Sequence, residues 1–167
     1  MKIELNEFEK EVGMMVAKKR HYMNRDNGVF DDRQTDKMTE LEPDIEGAMS
    51  ELAFCKITHI YPENVFTFGI SSKRKGTDGG DAKVNGKVFD VKSTKHLKGR
   101  LITRKNNPHV DVYALMVGQE GSYDFKGVME SKEFISSKRY GDHFMFRTPV
   151  FMALQKELTP WEEYINA

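Results

Sequence analysis

Cysteine is nearly absent from this chain of 167 residues, because Cys55 is the only one. A single thiol excludes an intramolecular disulfide and a zinc site built from several thiolates, and it is typical of a reducing compartment. No segment approaches the roughly 18 consecutive apolar residues of a membrane span, and the first residues lack the apolar stretch of a signal peptide. We therefore expect a cytoplasmic protein with no membrane partner.

Net charge is also absent, since 26 Lys and Arg balance 26 Asp and Glu. The charge is uneven along the chain, because residues 52–105 hold 12 basic and 4 acidic side chains. The segments on either side are acidic. The middle third is therefore a basic segment in a chain whose net charge is zero. The five histidines have no paired metal-ligand spacing and predict no metal site.

The apolar periodicity predicts a mixed fold of class α/β (α+β), with residues 1–167 in one domain. A capping box at Asn6 and Glu9 opens the first helix, and Pro43 suits the start of the second. The predicted elements, in chain order, are a helix over about residues 6–24, a loop at 25–42, a helix from Pro43, a strand at Tyr61–Ile70, a hairpin, an irregular segment at 95–109, strands at Val110–Val117 and Tyr123–Met129, a helix at Ser131–Tyr140 and two short closing helices, the last opened by Thr159-Pro160.

The strongest local signal is a hairpin turn at Asn85-Gly86, because both central positions of a type I′ turn need positive φ. With these residues as the loop, Asp81 faces Asp90 across the two strands. Alternation places both aspartates and Lys92 on one face of the hairpin. The opposite, apolar face comprises Ala82, Val84, Phe89 and Val91.

Like charges on directly opposed strand residues are destabilising, because their Cβ atoms lie only about 5 Å apart. A divalent cation between Asp81 and Asp90 would turn this repulsion into a binding site, since hard cations take oxygen ligands. Two alternatives to a metal site stay open. Charges on the outer face of an amphipathic hairpin are common, and a register shift or a bulge would separate the two carboxylates.

A third acid stands out on the second predicted helix, where Glu51 directly precedes the apolar run Leu52-Ala53-Phe54. Gly47 and Ala48, one turn earlier, allow that side of the helix to approach a sheet closely. Glu51 would then project at the contact between helix and sheet. A half-exposed surface glutamate is the alternative interpretation.

Glu51, Asp81 and the Asp90-x-Lys92 pair occur in the order of a known motif, in the stretches GAMSELAF, GGDAKV and FDVKST. Over about residues 43–117 the sequence resembles the PD-(D/E)XK nuclease superfamily, and in its compact layout the phage-type and Holliday-junction-resolvase-like members. The resemblance implies a restriction-endonuclease-like core, in which a helix precedes a three-stranded meander of a mixed sheet flanked by helices. That core would span about residues 43–130, with a C-terminal helical closure over about 131–167. The family core usually has a helix between its third and fourth strands, for which residues 95–109 carry no amphipathic pattern.

The resemblance also implies an activity, namely Mg²⁺-dependent hydrolysis of phosphodiester bonds in DNA, with Mn²⁺ as a substitute. In the family, the acids corresponding to Asp81 and Asp90 bind the metal together with the backbone carbonyl of the residue matching Val91. The glutamate matching Glu51 completes or supports the metal shell. The lysine matching Lys92 orients or deprotonates the attacking water, or stabilises the charge on the phosphoryl group. Carboxylate-bound metal suits this reaction, because it stabilises charge and lowers the pKa of bound water.

A basic stretch beside the acids suggests how a polyanion reaches a carboxylate site. Residues 92–105 contain six basic side chains and no acid. Such side chains supply sequence-independent contacts to phosphates, although each one alone is also explained as a solvated loop residue. The candidate substrate contacts are Lys73, Arg74, Lys75, Lys95, Lys98, Arg100, Arg104 and Lys105, with Arg20, Asn24 and Arg25 as further candidates.

Two functions fit this sequence. The first is a metal-dependent nuclease with nucleic acid as its partner. The second is a non-catalytic nucleic-acid-binding or interaction protein on a degenerate nuclease fold. The presence of all four signature residues favours catalysis, and a homodimer is compatible with either function.

Overall fold

The computed structural model describes residues 1–26, 41–66, 80–104, 106–143 and 146–167, which form four α-helices and eight β-strands. The helices are α1 (Glu7–Asp26), α2 (Glu42–Thr58), α3 (Ser131–Phe134) and α4 (Trp161–Ile165), with a 3₁₀ turn at Gln155–Glu157. The strands are β1 (Lys2–Glu4), β2 (Ala82–Val84), β3 (Lys87–Thr94), β4 (Leu101–Thr103), β5 (Val112–Gln119), β6 (Ser122–Glu130), β7 (Tyr140–Gly141) and β8 (Val150–Ala153). The chain is therefore of the predicted mixed α and β class.

Five strands form a mixed sheet of order β1-β6-β5-β3-β2. β3 and β5 run parallel, and the other neighbours are antiparallel. β5 is apolar on both faces, so its alternate side chains enter two separate cores. The first, here called the helix-side core, receives Val112, Ala114 and Met116. The second, the small-sheet core, receives Tyr113, Leu115 and Val117, which confirms the buried central strand predicted at Val110–Val117.

Helix α2 covers one face of the mixed sheet, and α1 packs against α2. α1 begins with reciprocal capping, in which the Glu9 N–H donates to Asn6 Oδ1 (2.8 Å) and the Asn6 N–H donates to Glu9 Oε2 (2.7 Å). The predicted capping box is thus confirmed. The two helices approach closely at Gly13, where a Cβ would lie 2.9 Å from Met49 Cγ.

The close approach predicted at Gly47 is wrong, because a Cβ at this position would meet no atom within 4 Å. The buried side of α2 is instead made by residues such as Ala48, Ala53 and Phe54, none of which exposes any surface. Phe54 packs against Phe89 of β3 at a ring distance of 5.5 Å. Small and aromatic residues of α2 therefore set its distance from the sheet.

A small sheet of order β4-β8-β7 covers the other face of the mixed sheet, together with α3. Leu101 of β4, Phe134 of α3 and Ala153 of β8 are all buried in the small-sheet core. This second sheet is absent from the sequence-based prediction, since each of its strands has four residues or fewer. Segments this short carry too little alternation to be recognised.

Three predicted elements differ in the structure. Within the predicted strand Tyr61–Ile70, residues 61–66 form turns, in which the Phe66 N–H donates to the carbonyls of Pro62 and Glu63. Residues 67–70 lie outside the described residues. Of the predicted three-stranded meander, the structure therefore describes the hairpin of β2 and β3. The segment 95–109, predicted to be irregular, contains the short strand β4.

The predicted helix at Ser131–Tyr140 ends after one turn, at Phe134. Ile135 leaves the helical region, and Tyr140 pairs with Phe151 in the small sheet. Tertiary pairing thus overrides local helix propensity here. The short closing helices are found as predicted, and Trp161 of α4 packs into the helix-side core.

No helix within the described ranges is long and apolar enough to cross a lipid bilayer. Most of the loop predicted at residues 25–42 lies outside the described residues.

Candidate active site

The hairpin at Asn85-Gly86 forms in the predicted register. Both turn residues have positive φ, at 49° and 83°, and β2 pairs with β3 in the expected alignment. Because strand side chains alternate, Phe89 enters the helix-side core while Asp90 lies on the other face. There Asp90 is the register partner of Tyr113 on β5.

The predicted direct opposition of Asp81 and Asp90 is modified by a local shift of the ladder. The Asp81 N–H donates to the Phe89 carbonyl (2.8 Å), and Asp81 Oδ2 accepts from the Val91 N–H (2.6 Å). Gly80 allows this change of direction, because its φ is +71° and a side chain there would collide with β3. The Asp81 carboxylate therefore bonds to the backbone on the C-terminal side of Asp90 instead of facing it squarely.

Glu51 on α2 is buried, with 8% of its surface exposed, and Arg20 of α1 is its ion-pair partner. Arg20 Nη1 donates to both carboxylate oxygens, at 3.0 and 2.8 Å. Nη2 of the same guanidinium donates to the carbonyls of Val65 (2.9 Å) and Asn64 (3.4 Å). The sequence predicts that Arg20 contacts the substrate. In the structure its guanidinium instead donates to Glu51 and to two backbone carbonyls.

Asn64 extends this network toward the hairpin. Its Nδ2 donates to the carbonyl of Gly80 (3.1 Å), the residue directly before Asp81. A chain of polar contacts therefore runs from Glu51 through Arg20 and Asn64 to the start of the hairpin. No sequence pattern signals this chain, because Arg20 and Glu51 are 31 residues apart and meet only when α1 packs on α2.

Asp90 and Lys92 form an ion pair along β3, with Lys92 Nζ 2.8 Å from Asp90 Oδ2. The two side chains keep 17% and 34% of their surface exposed. A solute can therefore reach the site from the side of Asp90 and Lys92. On the side of α2, the buried Glu51 limits this access.

The four motif residues share one electrostatic environment. Burial raises the pKa of Glu51, the Arg20 guanidinium opposes this shift, and the charge of Asp90 adds to it. Burial also raises the pKa of Asp81 well above its ordinary value, and the charges of Glu51 and Asp90 raise it further. Burial opposes the charge on Lys92, but Asp90 and Asp81 outweigh it and raise the pKa of this ammonium. Sequence-distant residues are therefore close enough to set one another's charge.

Tyr113 adds an unexpected polar atom beside the Asp90–Lys92 pair. Its side chain is fully buried, and its hydroxyl oxygen has no hydrogen-bond partner among the described residues. Burial and then the charge of Asp90 raise the pKa of Tyr113. The backbone N–H of Asn107 acts in the opposite direction and lowers the pKa of Tyr113, although its geometry is not that of a hydrogen bond. Even as a donor, this N–H would leave the proton of the Tyr113 hydroxyl without an acceptor among the described residues.

No three His, Cys, Asp or Glu side chains in the described ranges converge as a metal-binding group. The donor set nevertheless fits Mg²⁺, because this ion is usually held by one or two carboxylates, with waters and substrate phosphates completing its shell. Asp81 and Asp90 supply two carboxylates, close enough for the charge of one to raise the pKa of the other. Carboxylate oxygens are ligands that hard cations accept.

The predicted substrate-contacting residues differ in their surroundings. Lys95 and Lys98 are exposed, and Arg104 is half-buried. Arg100 is also half-buried, and its Nη1 lies 3.0 Å from Met152 Sδ. The predicted contacts outside the described residues are Lys73, Arg74, Lys75 and Lys105, together with the side chains of Asn24 and Arg25.

Comparison with known proteins adds no relative, because no family model, no curated protein and no solved structure matches the chain.

The raised pKa of Asp81 predicts how the metal-free protein responds to pH. A carboxyl with a higher pKa in the folded state holds a proton that the unfolded chain releases, so the free energy of unfolding falls as pH rises above about 4. Asp81→Asn removes this contribution and still accepts the Val91 N–H bond. We expect the variant to gain stability over the wild type with rising pH, measured by urea unfolding with EDTA between about pH 5 and pH 8.

Asp124→Asn is the matched control, because this aspartate shows the opposite shift. Burial opposes the charge on Asp124, but Lys126 and the N-terminal ammonium outweigh it and lower its pKa. Its stabilisation is fully present above the unfolded pKa and is lost only as pH falls through the folded pKa, so the variant should show a constant deficit over the same range. Parallel pH curves for Asp81→Asn and the wild type would contradict the assigned environment of Asp81.

Removal of Arg20 should leave a buried carboxylate without its counter-ion. We expect Arg20→Met to lower the free energy of unfolding by about 3 kcal/mol, because an unpaired buried charge is costly. Adding Glu51→Gln should recover part of this loss in a double-mutant cycle. Lys19→Met, at an exposed position of the same helix, is the control and should change stability by less than about 0.5 kcal/mol. Additive effects of the Arg20 and Glu51 changes would disprove the ion pair.

The unpartnered hydroxyl of Tyr113 predicts a stabilising substitution. Tyr113→Phe keeps the ring and removes a buried polar atom, so we expect the free energy of unfolding to rise by about 1 kcal/mol. Tyr123→Phe is the matched control, because the buried Tyr123 hydroxyl donates to Glu46 Oε2 (2.6 Å) and its loss should destabilise the protein. Thermal and urea melts measure both variants. A destabilised Tyr113→Phe would show that the hydroxyl has a bonding partner in solution.

Proposed function

We propose that this protein is a metal-dependent nuclease, which hydrolyses phosphodiester bonds of DNA at a site formed by Glu51, Asp81, Asp90 and Lys92. The observation that carries the proposal is the charge around Asp81. This carboxylate lies near two other acids, and it has no ion-pair partner of its own among the described residues. A purely structural cluster would pair each acid with a base, whereas a buried carboxyl without a base is held in its charged form when a divalent cation binds.

The roles of the residues follow from the reaction. A bound metal ion would supply charge stabilisation at phosphorus and a lowered pKa for bound water. Asp81, Asp90 and the Val91 carbonyl would hold Mg²⁺, or Mn²⁺ in its place, and Glu51 would support this shell from α2. The half-exposed ammonium of Lys92 would orient or deprotonate the attacking water, or stabilise the phosphoryl charge.

Arg20 and Asn64 act as positioning residues in this scheme. Arg20 holds both oxygens of Glu51, and Asn64 holds the carbonyl that precedes Asp81. The acids from α2 and from the hairpin are thereby kept in a fixed relation before any ligand binds. Such preorganisation lowers the free-energy cost of assembling a site around a metal and a phosphate.

A second candidate function is favoured by a specific observation. The pairs Arg20–Glu51 and Lys92–Asp90 neutralise two of the three acids with the protein's own cations. A non-catalytic nucleic-acid-binding or interaction protein on a degenerate nuclease fold would keep such pairs as structural contacts. The choice of DNA as the substrate follows from the family resemblance alone.

Cleavage of a fluorescent DNA with Mg²⁺, and with EDTA instead, separates the two functions. We expect cleavage in Mg²⁺ only, and we expect Lys92→Ala to lower its rate by at least about 100-fold, because the lysine acts in the transition state. Lys83→Ala removes an exposed lysine from the neighbouring strand and should leave the rate unchanged. Near wild-type cleavage by Lys92→Ala would remove this residue from the site.

Thermal melts with Mg²⁺ or Mn²⁺ provide a readout of the same site that needs no cleavage. A metal that binds the folded state raises the melting temperature, and Asp90→Asn should lose most of that rise. If the wild type neither cleaves DNA nor responds to metal, the nuclease is contradicted and the non-catalytic function is favoured. A full metal-induced shift in Asp90→Asn would show that Asp90 is not a ligand.

A further inference from the structure

A groove of about 430 Å³ opens at the edge of the small sheet, on the surface formed by β7, β8 and the segment before β4. This volume is within the range of natural small-ligand sites and is too small for a nucleic-acid duplex. The residues that matter for its chemistry are Arg100, Lys138, Arg139, Tyr140, His143 and Glu157.

The groove carries positive charge that no carboxylate of the described residues fully neutralises. Arg139 is paired with Glu157 (3.0 Å) and with Glu133 (3.1 Å), so its charge is compensated. Arg100 and Lys138 have no carboxylate partner among the described residues. Arg100 instead places its Nη1 against Met152 Sδ, a weak acceptor, and its other guanidinium N–H groups form no hydrogen bond with the described residues. A guanidinium held in this way suits a phosphate oxygen.

An aromatic ring lies beside these cations. Tyr140 keeps 49% of its surface exposed, and its ring packs on Phe151 at a centroid distance of 4.7 Å. The contact with Phe151 restricts the orientation of the Tyr140 ring, and the exposed half of the Tyr140 surface is accessible to a base. Base–aromatic stacking on such a platform requires an unpaired base.

The groove and the candidate active site lie on the same side of the mixed sheet. Asp90 is the register partner of Tyr113, whose ring belongs to the small-sheet core together with Leu101 of β4. Gly99, next to Arg100, approaches β3 so closely that a Cβ there would lie 2.2 Å from Thr94 Cγ2. Thr94 follows Lys92 by two residues, or about 7 Å along the strand.

We propose that this groove binds one unpaired nucleotide of the substrate strand, next to the phosphodiester that is cleaved. Arg100 and Lys138 contact its phosphate, and Tyr140 stacks on its base. The position of the groove relative to the cleaved bond rests on the proposed function, whereas its affinity for single-stranded nucleic acid does not. The substrate class assigned by the groove is therefore DNA with a single-stranded segment at the cleavage site.

The test is fluorescence anisotropy with a labelled single-stranded oligonucleotide in EDTA, where no cleavage occurs. The variant Arg100→Ala/Lys138→Ala should bind at least about fivefold more weakly, and the slope of log affinity against log salt should fall by about 0.7, because the contact with one phosphate is lost. Lys132→Ala/Lys156→Ala removes the same charge from exposed positions outside the groove and is the control. Wild-type affinity and salt slope in the Arg100/Lys138 variant would overturn the phosphate site.

Tyr140→Ala tests the stacking contact, with the exposed Tyr61→Ala as its control. We expect Tyr140→Ala alone to lower the affinity, by about fivefold or more. An unlabelled duplex of the same sequence should compete less well than the single strand, and equal competition would overturn the unpaired nucleotide. If the wild type cleaves no DNA but the groove variants still lose binding, the nuclease is contradicted and the groove is supported. Normal binding by these variants of an active nuclease would contradict the groove alone.

Discussion

The proximity of three carboxylates inside a folded chain is the constraint on which the rest of this structure depends. Burial and the charges of neighbouring acids both disfavour the charged forms of Glu51 and Asp81. Two cations of the protein offset this cost, because Arg20 pairs with Glu51 and Lys92 pairs with Asp90. Among the described residues, Asp81 keeps a single hydrogen-bond donor to its carboxylate, the backbone N–H of Val91.

Strand β3 connects this electrostatic problem to the packing of the molecule. Its alternate residues Phe89 and Val91 are buried in the helix-side core, while Asp90 and Lys92 lie on the face of the small sheet. One strand thus supplies core and site by the two-residue period of its side chains. A shift of its register by one residue would exchange the two sets, so the packing of the core also fixes the position of the charges.

Features that depend on neighbouring residues could be predicted from the sequence. Asn85-Gly86 specified the turn and hence the alignment of β2 with β3, Asn6 and Glu9 specified a helix start, and unbroken apolarity specified β5. Glu51 could be singled out because an acid beside an apolar run is unusual. The proximity of the four motif residues is in the structure, whereas the nuclease activity implied by the resemblance stays a prediction.

Features that depend on distant parts of the chain could not be predicted in this way. The ladder shift at Asp81 involves Gly80 and a hydrogen bond from Asn64, and the partner of Glu51 lies on another helix. The short strands of the small sheet, and β1 at the edge of the mixed sheet, are stabilised by the strands they pair with and carry little pattern of their own. Physical proximity in these cases is decided by packing, for which a local sequence window holds no signal.

The pairing of β1 with β6 determines when during synthesis this chain can fold. Lys2 lies opposite Asp124, so β1 has no partner strand until β6, much later in the chain, has been synthesised. Until β3, β5 and β6 have also emerged, the apolar faces of α1 and α2 have no sheet to cover them. Non-local pairing of this kind slows folding and leaves hydrophobic surface open to association. The nascent chain is therefore expected to need protection by chaperones over most of its length, and its site is complete only after the sheet has closed.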